Sequence, residues 1–476
     1  MKEVLKQIDT KEFHIVGEAA DRLGYPCYAV GGYVRDLFLK RHSKDIDFVS
    51  VGSGSGIAIA REVAAAIGRG AHVSVFRTYG TAQVKHDDTE LEFVAARRES
   101  YNADSRNPMV EDGSLDDDIA RRDFTINAMA ICINRDEFGH LIDNYDGLKD
   151  IKAGIIRTPL DPDITFSDDP LRMMRAIRFA TQLQFTIYPQ TLEAIKRNAE
   201  RIDIITRERI LTELNKIMMS SRPSAGWRLL MDTGLLQRIF PEFAAMKGVE
   251  IVKGRGHKDN FDHTLTVLDS VAAKSDKLWL RWAALLHDIA KPVTKKWDEK
   301  AGWTFRNHNF IGAKMVPRIF RSMKMPLGEP MRYVAKMVEL HMRPIALVED
   351  AVTDSAVRRL ITDAGEDIDD LMTLCRADIT SRNPEKVRRH LENFDAVLQK
   401  MADVTERDNL RNFAPPVDGA EIMMTFGLPP SPPVGIIKAA IKDAVLDGII
   451  PNDHDAAYRY MLRIGAEMNL TPTNEQ

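Results

Sequence analysis

The sequence predicts a small α/β domain at the N-terminal end, followed by a long all-helical body. Between residues 25 and 100, short runs rich in Val, Ile, Phe and Tyr alternate with helical or turn segments, which is typical of a sheet covered by helices. From about Pro170 onward, the strand signal vanishes and apolar residues recur at helical spacing. A chain of 476 residues is long enough for about three domains, each with its own core.

Five strands and two helices are expected in the α/β part. The strands are 25–30, 45–51, 72–76, 81–86 and 89–96. The helices are 34–42 and 56–68. Residues 100–118 are polar and contain Pro and Gly without periodicity, so we expect a mobile loop there.

Amphipathic helices dominate the rest of the chain. A Gly- and Lys-rich stretch at 245–260 indicates a boundary, and a Pro-dense turn at 427–435 separates two late helical runs. We therefore expect a head over 1–155, a helical neck and body over 156–245, a further helical domain over 246–400 and a helical tail over 401–476.

Composition indicates an ordinary globular chain without a membrane span. Mean hydropathy is −0.26, and no apolar run approaches the roughly 18 residues that a span needs. The N-terminus has no apolar run typical of a secretion signal. The cysteines Cys27, Cys132 and Cys375 are far apart and odd in number, which favours a reducing compartment. We expect a cytoplasmic protein with no membrane partner.

The charge is unevenly distributed along the chain. The whole chain carries 66 Lys and Arg against 70 Asp and Glu, which is not the usual signature of a nucleic-acid-binding protein. Residues 1–150, however, carry 19 basic and 26 acidic residues, so the remainder has 47 and 44. This distribution fits metal or nucleotide chemistry in the acidic part and a polyanion bound by the mildly basic part.

Two carboxylates on one predicted strand indicate a metal site. Asp45 and Asp47 are two residues apart and point to the same face, while Ile46 and Phe48 pack on the other. Such carboxylates repel each other unless a cation lies between them, and hard oxygen ligands suit Mg²⁺. Two Mg²⁺ ions can activate a hydroxyl and stabilise a pyrophosphate leaving group. The alternative for this pair alone is a solvated strand end.

The segment VGGYVRD lies upstream of this strand, at the junction of a strand and a helix. Gly31 and Gly32 allow backbone N–H groups to approach phosphate oxygens without an intervening Cβ. Arg35 can add a bidentate contact to the same phosphates. A Gly-Gly pair alone would indicate only a turn, but the order of turn, short helix and acidic strand is more specific.

Four motifs together resemble the class II tRNA nucleotidyltransferase/poly(A) polymerase family. They are GGYVRD (31–36), DIDFV (45–49), RRDFTINAMA (121–130) and DPLRMMRAIRF (169–179). The resemblance implies a polymerase-β-type nucleotidyltransferase head, Mg²⁺-dependent catalysis, and addition of C and A from CTP and ATP to the 3′ end of tRNA.

The resemblance also implies roles for single residues. Asp45 and Asp47 match the catalytic metal ligands. Gly32, Arg35 and Arg122 match nucleotide-phosphate contacts. Residues that match the element reading the incoming base are Asp169, Arg172 and Arg175. The family commonly has Glu-Asp before Pro170, whereas this chain has Asp168-Asp169, and we expect little consequence of this difference.

The chemistry of Asp169 and Arg172 fits selection of C and A. Both bases present an amino donor beside a ring-nitrogen acceptor, so Asp can accept from the amino group while Arg donates to the ring nitrogen. Uracil and guanine present the reverse order and would leave buried polar groups unpaired. The alternative is an i,i+3 surface ion pair at a helix start. Glu92, on a neighbouring strand, is interpreted as solvent-facing and not as a third carboxylate.

A second constellation lies in the helical part. His263, the pair His287-Asp288 and Asp378 follow the order of the HD phosphohydrolase superfamily, which this region resembles. Imidazole and carboxylate ligands from separate helices suit a transition metal. His308 and His341 would supply a second ion in members with two metals. The resemblance implies hydrolysis of phosphate esters at damaged RNA ends or a structural role, whereas a single His in a helix is more often a core or surface residue.

Alternatives remain within and outside this family. Poly(A) polymerases and enzymes that add only CC or only A share the same motifs, and an intact segment 97–118 favours full CCA addition. From other classes, the chain could be mainly an HD metallophosphohydrolase or a non-catalytic RNA-binding protein.

Overall fold

A computed structural model shows two compact units, one of residues 1–245 with 322–325 and one of residues 246–321 with 326–476. The structure describes residues 2–43, 45–76, 80–102, 105–349, 353–380, 383–408 and 416–473.

The first unit contains a seven-stranded sheet in the order β3-β4-β5-β2-β1-β8-β9. Its strands are β1 (Cys27–Val30), β2 (Asp45–Ser50), β3 (His72–Phe76), β4 (Thr81–His86), β5 (Thr89–Ala95), β8 (Ala130–Cys132) and β9 (Leu141–Ile142). Strands β2 and β5 run parallel, and the other neighbouring pairs run antiparallel. All five strands expected from the sequence are present, and the structure adds β8 and β9.

Alternation along β2 places its apolar side chains in the core. Ile46 and Phe48 are buried, and the ring of Phe48 stacks on Phe93 of β5 with centroids 5.2 Å apart. Helix α4 packs against β4 and β5. One face of β2 therefore packs against the core, and the opposite face carries its carboxylates.

Helices make up most of the first unit beyond the sheet. They are α1 (Lys2–Ile8), α2 (Lys11–Leu23), α3 (Gly32–Phe38), α4 (Ser55–Ile67), α5 (Leu115–Ala120), α6 (Gly147–Ala153), α7 (Pro162–Asp168), α8 (Leu171–Leu183), α9 (Pro189–Asn198), α10 (Arg207–Met218), α11 (Pro223–Asp232), α12 (Leu235–Ile239) and α13 (Pro241–Ala244). Two short strands, β10 (Ile155–Ile156) and β11 (Thr186–Ile187), pair in parallel.

The prediction of an irregular loop at 100–118 is wrong. Strands β6 (Arg97–Asn102) and β7 (Ser105–Asp112) pair antiparallel as a separate two-stranded sheet. Helix α5 follows, and Ser114 begins it with a capping box to Asp117. A ribbon held by its own backbone hydrogen bonds needs no apolar periodicity, so its polar sequence did not predict strands.

The second unit is mainly helical. Its helices are α14 (Asn260–Ala272), α15 (Leu278–Leu286), α16 (Lys291–Thr294), α17 (His308–Ser322), α18 (Glu329–Leu340), α19 (Met342–Glu349), α20 (Asp354–Ala364), α21 (Ile368–Asp378), α22 (Pro384–Asp408), α23 (Gly419–Phe426), α24 (Pro432–Leu446) and α25 (His454–Glu467). Among helices in the described ranges, none combines the length and apolar character that crossing a bilayer requires.

The expectation of no strands after Pro170 is wrong in detail. Besides β11, the second unit has two short hairpins, formed by β12 (Ile251–Val252) with β13 (Arg255–Gly256) and by β14 (Lys296–Asp298) with β15 (Gly302–Thr304). Strands of two or three residues are too short to produce an alternating pattern. The Pro-dense segment separates α23 from α24, as expected, and α24 begins within it at Pro432.

Candidate functional site

The acidic face of the first unit's sheet is formed by two neighbouring strands. Asp47 of β2 lies directly opposite Glu92 of the parallel strand β5. Burial raises the pKa of Asp47, and the nearby Asp45 adds to the increase. Burial also raises the pKa of Glu92, with Asp47 as the next contribution. These carboxylates therefore repel one another, and a bound cation would reduce that repulsion.

Glu92 is exposed, as expected from the sequence, but the structure also places it directly beside Asp47. A signal was present in the sequence, because Leu91 and Phe93 on either side of it are apolar and both are buried. Strand parity therefore places Glu92 on the face opposite the core. Which strand would lie beside β2 could be learned only from the fold.

The turn after β1 lies against this acidic face. Gly31 adopts φ +73°, a conformation that favours glycine. A Cβ there would lie 2.8 Å from Nη1 of Arg122 and 3.4 Å from Oδ2 of Asp47. The structure thus brings Gly31, Asp47 and Arg122 together, and the absence of a side chain at Gly31 makes the close approach feasible.

Arg122 is held in place by a buried carboxylate. Its Nη2 donates to Oδ2 of Asp118 at 2.9 Å, and Arg121 donates to the other oxygen. The side chain of Asp118 is fully buried. Although burial favours the neutral carboxyl, the two guanidinium groups hold the pKa of Asp118 below its ordinary value.

Arg35 and Arg175 join one polar network. Nη1 of Arg35 donates to Asn127 at 2.9 Å, and Asn127 donates to Oδ1 of Asp123 at 2.9 Å. Nε of Arg175 donates to Oδ2 of Asp123 at 2.7 Å. Nε of Arg35 donates to Asp36. Both arginines are therefore engaged by protein groups, and the guanidinium of Arg35 also lies beside Gly32 of the turn.

Asp169 and Arg172 are three residues apart at the start of α8, and the backbone N–H of Arg172 donates to the carbonyl of Asp169 at 3.0 Å. Asp169 has extended backbone angles and precedes α8. Its Oδ1 accepts from the backbone N–H of Leu171 at 3.1 Å, and its Oδ2 lies 3.6 Å from Nη2 of Arg209. The side chain of Arg172 forms no hydrogen bond or ion pair with any residue in the described ranges. The alternative of an Asp169–Arg172 ion pair is therefore not realised.

The second unit brings the HD residues together: His263 lies in α14, His287 and Asp288 lie in the turn after α15, and Asp378 ends α21. Nε2 of His263 lies 2.8 Å from Oδ1 of Asp378, and Nε2 of His287 lies 3.5 Å from the same oxygen. The ligand atoms of these three side chains all lie within 4.8 Å of one another. This is one group able to hold a metal ion.

Asp288, His308 and His341 form a second such group. Oδ1 of Asp288 lies 3.2 Å from Nε2 of His308 and 3.9 Å from Nε2 of His341. Oδ2 of Asp288 lies 3.2 Å from Nε2 of His287 in the first group. The carboxylate of Asp288 therefore lies between the two groups, as a bridging ligand would.

The histidines are oriented as metal ligands by their other ring nitrogen. Nδ1 of His287, His308 and His341 contacts the carbonyl oxygen of the residue three positions earlier, at 2.8, 2.7 and 2.6 Å. A carbonyl only accepts, so Nδ1 carries the proton. Their Nε2 atoms are buried and form no hydrogen bond of suitable geometry in the described structure, although oxygens of Asp288 lie 3.2 Å from those of His287 and His308. A metal ion is the partner that such nitrogens suit.

Electrostatics support a cation in this cluster. Although burial disfavours imidazolium, Asp288 and Asp378 raise the pKa of His287 to about 10. Burial and the neighbouring His287 lower the pKa of His341 to about 4. The carboxylates of Asp288 and Asp378 therefore stabilise a positive charge on His287, and a bound metal ion could replace that charge.

Comparison with known families matches three parts of the chain. Residues 27–157 match the Poly A polymerase head domain, 184–247 match the probable RNA and SrmB-binding site of polymerase A, and 260–383 match the HD domain.

A relative that matches along nearly its whole length shows the family. The A-adding tRNA nucleotidyltransferase of Deinococcus radiodurans is 30% identical over 438 residues, covering 90% of this chain and 93% of the relative. This chain belongs to the tRNA nucleotidyltransferase family. The multifunctional CCA protein of Pseudomonas fluorescens is 34% identical over 314 residues, covering 63% of this chain and 70% of the relative. The chain is therefore a nucleotidyltransferase, with an HD domain, as the sequence motifs predicted.

Solved structures of this family have the same fold. The CCA-adding enzyme of Bacillus stearothermophilus in complex with CTP superposes with a TM-score of 0.65, at 23% identity over 97% of this chain and 99% of that one. A tRNA nucleotidyltransferase complexed with a primer tRNA and an incoming ATP analog gives 0.58, at 25% identity over 81% and 99%. The polymerase-type head followed by helical domains is thus confirmed.

Proposed function

We propose that this tRNA nucleotidyltransferase adds C and A from CTP and ATP to the 3′ end of tRNA without a template. The observation that carries the proposal is the acidic face of Asp45, Asp47 and Glu92 beside the Gly31 turn. Names of the relatives, which include multifunctional CCA proteins and CCA-adding enzymes, support this activity.

The donor set of the acidic face fits Mg²⁺. Asp45 and Asp47 are the proposed metal ligands. We add Glu92 to them because it lies directly opposite Asp47 on the neighbouring strand β5. Bound Mg²⁺ would lower the pKa of the attacking 3′-hydroxyl and stabilise charge on the pyrophosphate leaving group. The chain's contribution is to hold these oxygens on a rigid sheet, so that little reorganisation accompanies the reaction.

Gly31, Gly32 and Arg122 are the proposed triphosphate contacts. The guanidinium of Arg122 lies over the Gly31 turn and is anchored by Asp118, so its charge is placed beside Asp47 in advance. Arg35 and Arg175 are proposed to position the site, because Asn127 and Asp123 connect their guanidinium groups. They connect the turn, the RRDFTIN segment and helix α8 into one network.

Base selection is assigned to Asp169 and Arg172. The backbone N–H of Leu171 fixes one oxygen of Asp169, which leaves the other to accept from the amino group of C or A. Arg172, which has no ion pair with a described residue, can donate to the ring nitrogen. Nη2 of Arg209 also lies 3.6 Å from Oδ2 of Asp169.

One extension assay tests this function against its alternatives. The protein is incubated with tRNA lacking CCA, with tRNA ending in C or CC, and with each NTP singly and together. Addition of CCA and no more is expected. A long A tail would indicate a poly(A) polymerase, and addition confined to CC or to A would assign a partial activity. Asp169→Ala should accept UTP while keeping addition itself.

We infer a second activity for the HD domain, namely hydrolysis of phosphate esters at RNA ends with bound transition-metal ions. The buried Nε2 atoms of His287, His308 and His341 favour it. A 2′,3′-cyclic phosphate would be opened by water, with one P–O bond broken and a phosphomonoester formed. Retention of bound metal but no hydrolysis across several added divalent ions would assign the cluster a structural role.

A cytoplasmic location agrees with these proposals. Its substrates, tRNA and nucleoside triphosphates, are found there, and the thiols of Cys27, Cys132 and Cys375 are buried and reduced in the structure.

A further inference from the structure

Two short hairpins lie beside the metal cluster of the second unit. We call them the double hairpin, comprising β12 with β13 and β14 with β15. They are connected to each other, because Nε1 of Trp303 donates to the carbonyl of Glu250 at 3.0 Å and Nη1 of Arg255 donates to the carbonyl of Lys300 at 3.0 Å. The proposed hydrolysis at the metal cluster does not by itself assign a function to these hairpins.

Aromatic rings form a continuous row across the double hairpin. The centroids of Trp297 and Trp303 are 5.3 Å apart, and His257 lies 5.9 Å from Trp303 and 5.6 Å from Phe305. The side chains of these residues are half-buried. Partly exposed rings in a row are what unstacked bases pack against.

The same segments are strongly basic. Residues 250–258 and 291–307 carry eight Lys and Arg against three Asp and Glu, whereas acidic residues are in excess over the whole chain. Nζ of Lys295 lies 4.3 Å from the ring centroid of Trp303. Lys296 and Arg306 are exposed, and neither forms an ion pair with a residue in the described ranges. By strand alternation, Lys296 and Arg306 lie on the face of the hairpin opposite Trp303. Cations beside an aromatic surface suit a polyanion with planar bases.

A cleft runs along one side of the double hairpin. Its volume is about 640 Å³, and its lining includes Lys296, Trp297, Arg306 and Asn307. The cleft is therefore lined by aromatic, cationic and amide groups, which between them can contact the base, the phosphate and the sugar of a nucleotide.

The double hairpin is joined to the metal cluster by direct contacts. Nζ of Lys291 lies 2.5 Å from Oδ2 of Asp288 and 5.8 Å from the ring centroid of Phe305. The carbonyl of Phe305 accepts from Nδ1 of His308 at 2.7 Å. Asn307, which lines the cleft, directly precedes His308. The aromatic row therefore ends at the residues that orient the proposed metal ligands.

We propose that the double hairpin binds the single-stranded end of an RNA and delivers its terminal phosphate to the HD metal cluster. Bases pack against the row from Trp297 to Phe305, while Lys296 and Arg306, in the cleft that Trp297 also lines, neutralise the backbone. This inference rests on the proposed HD hydrolase and adds the surface on which the RNA end would bind. A site for mononucleotides alone would need neither the length of the aromatic row nor its cations.

The first test compares substrate lengths in the full-length protein. Hydrolysis is measured on a 2′,3′-cyclic mononucleotide and on a dinucleotide and a tetranucleotide with the same cyclic end. We expect kcat/KM to rise about tenfold or more with length, since each stacked base adds affinity. In Lys296→Glu/Arg306→Glu and in Trp297→Ala this rise should be lost. Lys274→Glu/Arg321→Glu, which reverses two exposed cations elsewhere, is the matched control and should keep it.

The second test locates the RNA without depending on hydrolysis. A short single-stranded RNA carrying 4-thiouridine next to a 3′-terminal phosphate is crosslinked to the full-length protein, and the crosslinked peptides are identified by mass spectrometry. Crosslinks within 250–258 or 291–307 are expected, and the charge-reversal variant should weaken them. Crosslinks confined to other segments, or a length effect that survives in the variants, would overturn the proposal. If no substrate is hydrolysed, the HD hydrolase fails, and the crosslink position alone decides on the double hairpin.

Discussion

The two proposed metal sites are built in opposite ways. In the first unit, Asp45 and Asp47 are two residues apart on one strand, and Glu92 faces them from the next strand. In the second unit, His263 and Asp378 are 115 residues apart in sequence and still within hydrogen-bonding distance. The first site is an all-oxygen set with an exposed member, and the second is a buried set of nitrogen and oxygen atoms.

This difference has a chemical consequence. An open all-oxygen site suits Mg²⁺ that arrives and leaves with a nucleotide, because Mg²⁺ retains water and substrate oxygens among its ligands. Pre-oriented Nε2 atoms in a buried cluster suit a transition metal that stays bound between turnovers. Ligand type and burial would therefore direct different metal ions to the two proposed sites.

The largest expected effect separates the two sites completely. Asp45→Ala/Asp47→Ala should lower CCA addition by about 1000-fold or more, because both metal ligands of the transfer reaction are lost. Extension of tRNA and hydrolysis of a cyclic phosphate are measured on the same preparation. Asp136→Ala, which removes an exposed carboxylate of the same unit, is the control and should behave like the parent. Equal loss of both activities in the double variant would contradict separate sites.

Glu92→Gln tests whether the acidic face has a third working carboxylate. We expect CCA addition to fall about 100-fold, since one charge facing the metal is removed while the shape is kept. The dependence of the rate on Mg²⁺ concentration should shift to higher concentrations. A rate within a factor of about two of the parent would return Glu92 to the solvent-facing role that its sequence first suggested.

The supports of the first site are ion pairs, and Asp123→Asn tests one of them. We expect a loss of about 2 kcal/mol in the free energy of unfolding, less than for a fully buried pair because the side chain of Arg175 is 36% exposed. Although burial opposes ionisation, Arg175 holds the pKa of Asp123 below its ordinary value. The stabilisation is therefore present at neutral pH and is lost as the pH falls below about 4.

Urea titration of parent and variant at several pH values measures this difference. The gap between the two proteins should close on acidification, because the parent then loses the same ion pair. A gap that does not depend on pH would show that Asp123 acts through shape alone.

The smallest effect concerns the supports of the second site, which are hydrogen bonds to ring nitrogens. The hydroxyl of Thr380 lies 3.0 Å from Nδ1 of His263. Thr380→Val keeps the shape and removes this bond, so transition-metal affinity should fall about tenfold. Competition with a chelating dye measures the affinity, and Thr373→Val is the control because Thr373 bonds only within its own helix. Unchanged affinity would mean that packing alone orients His263.

Local patterns were sufficient for much of the first unit. The five expected strands are present because alternation along each strand directly reports which face is buried, as Ile46 and Phe48 illustrate. The ribbon at 97–112 was missed because two polar strands that pair only with each other leave no such trace. Glu92 was interpreted as a solvent-facing residue of a neighbouring strand, and only the register of that strand placed it opposite Asp47.

The hydrogen-bond partners of the arginines could not be predicted from the sequence. Arg35, Arg122 and Arg175 were assigned to the nucleotide by their motifs, but hydrogen bonding divides them. Arg122 lies beside Gly31 and Arg35 beside Gly32, and Arg35 is also connected to Arg175 through Asn127 and Asp123. Donor directions of a guanidinium depend on which acceptors the fold brings near, and spacing in the sequence carries no such information.

By itself, the sequence determined the ligand types, the face of the strand that carries Asp45 and Asp47, and the family to which the chain belongs. These depend on side-chain chemistry and on local periodicity, which are both local properties of the chain. Only the tertiary structure decided that Glu92 joins the acidic face, that Asp288 lies between two groups of ligands, and that an aromatic row adjoins His308. Each of these is a contact between residues distant in sequence, and such contacts arise only when whole elements pack against one another.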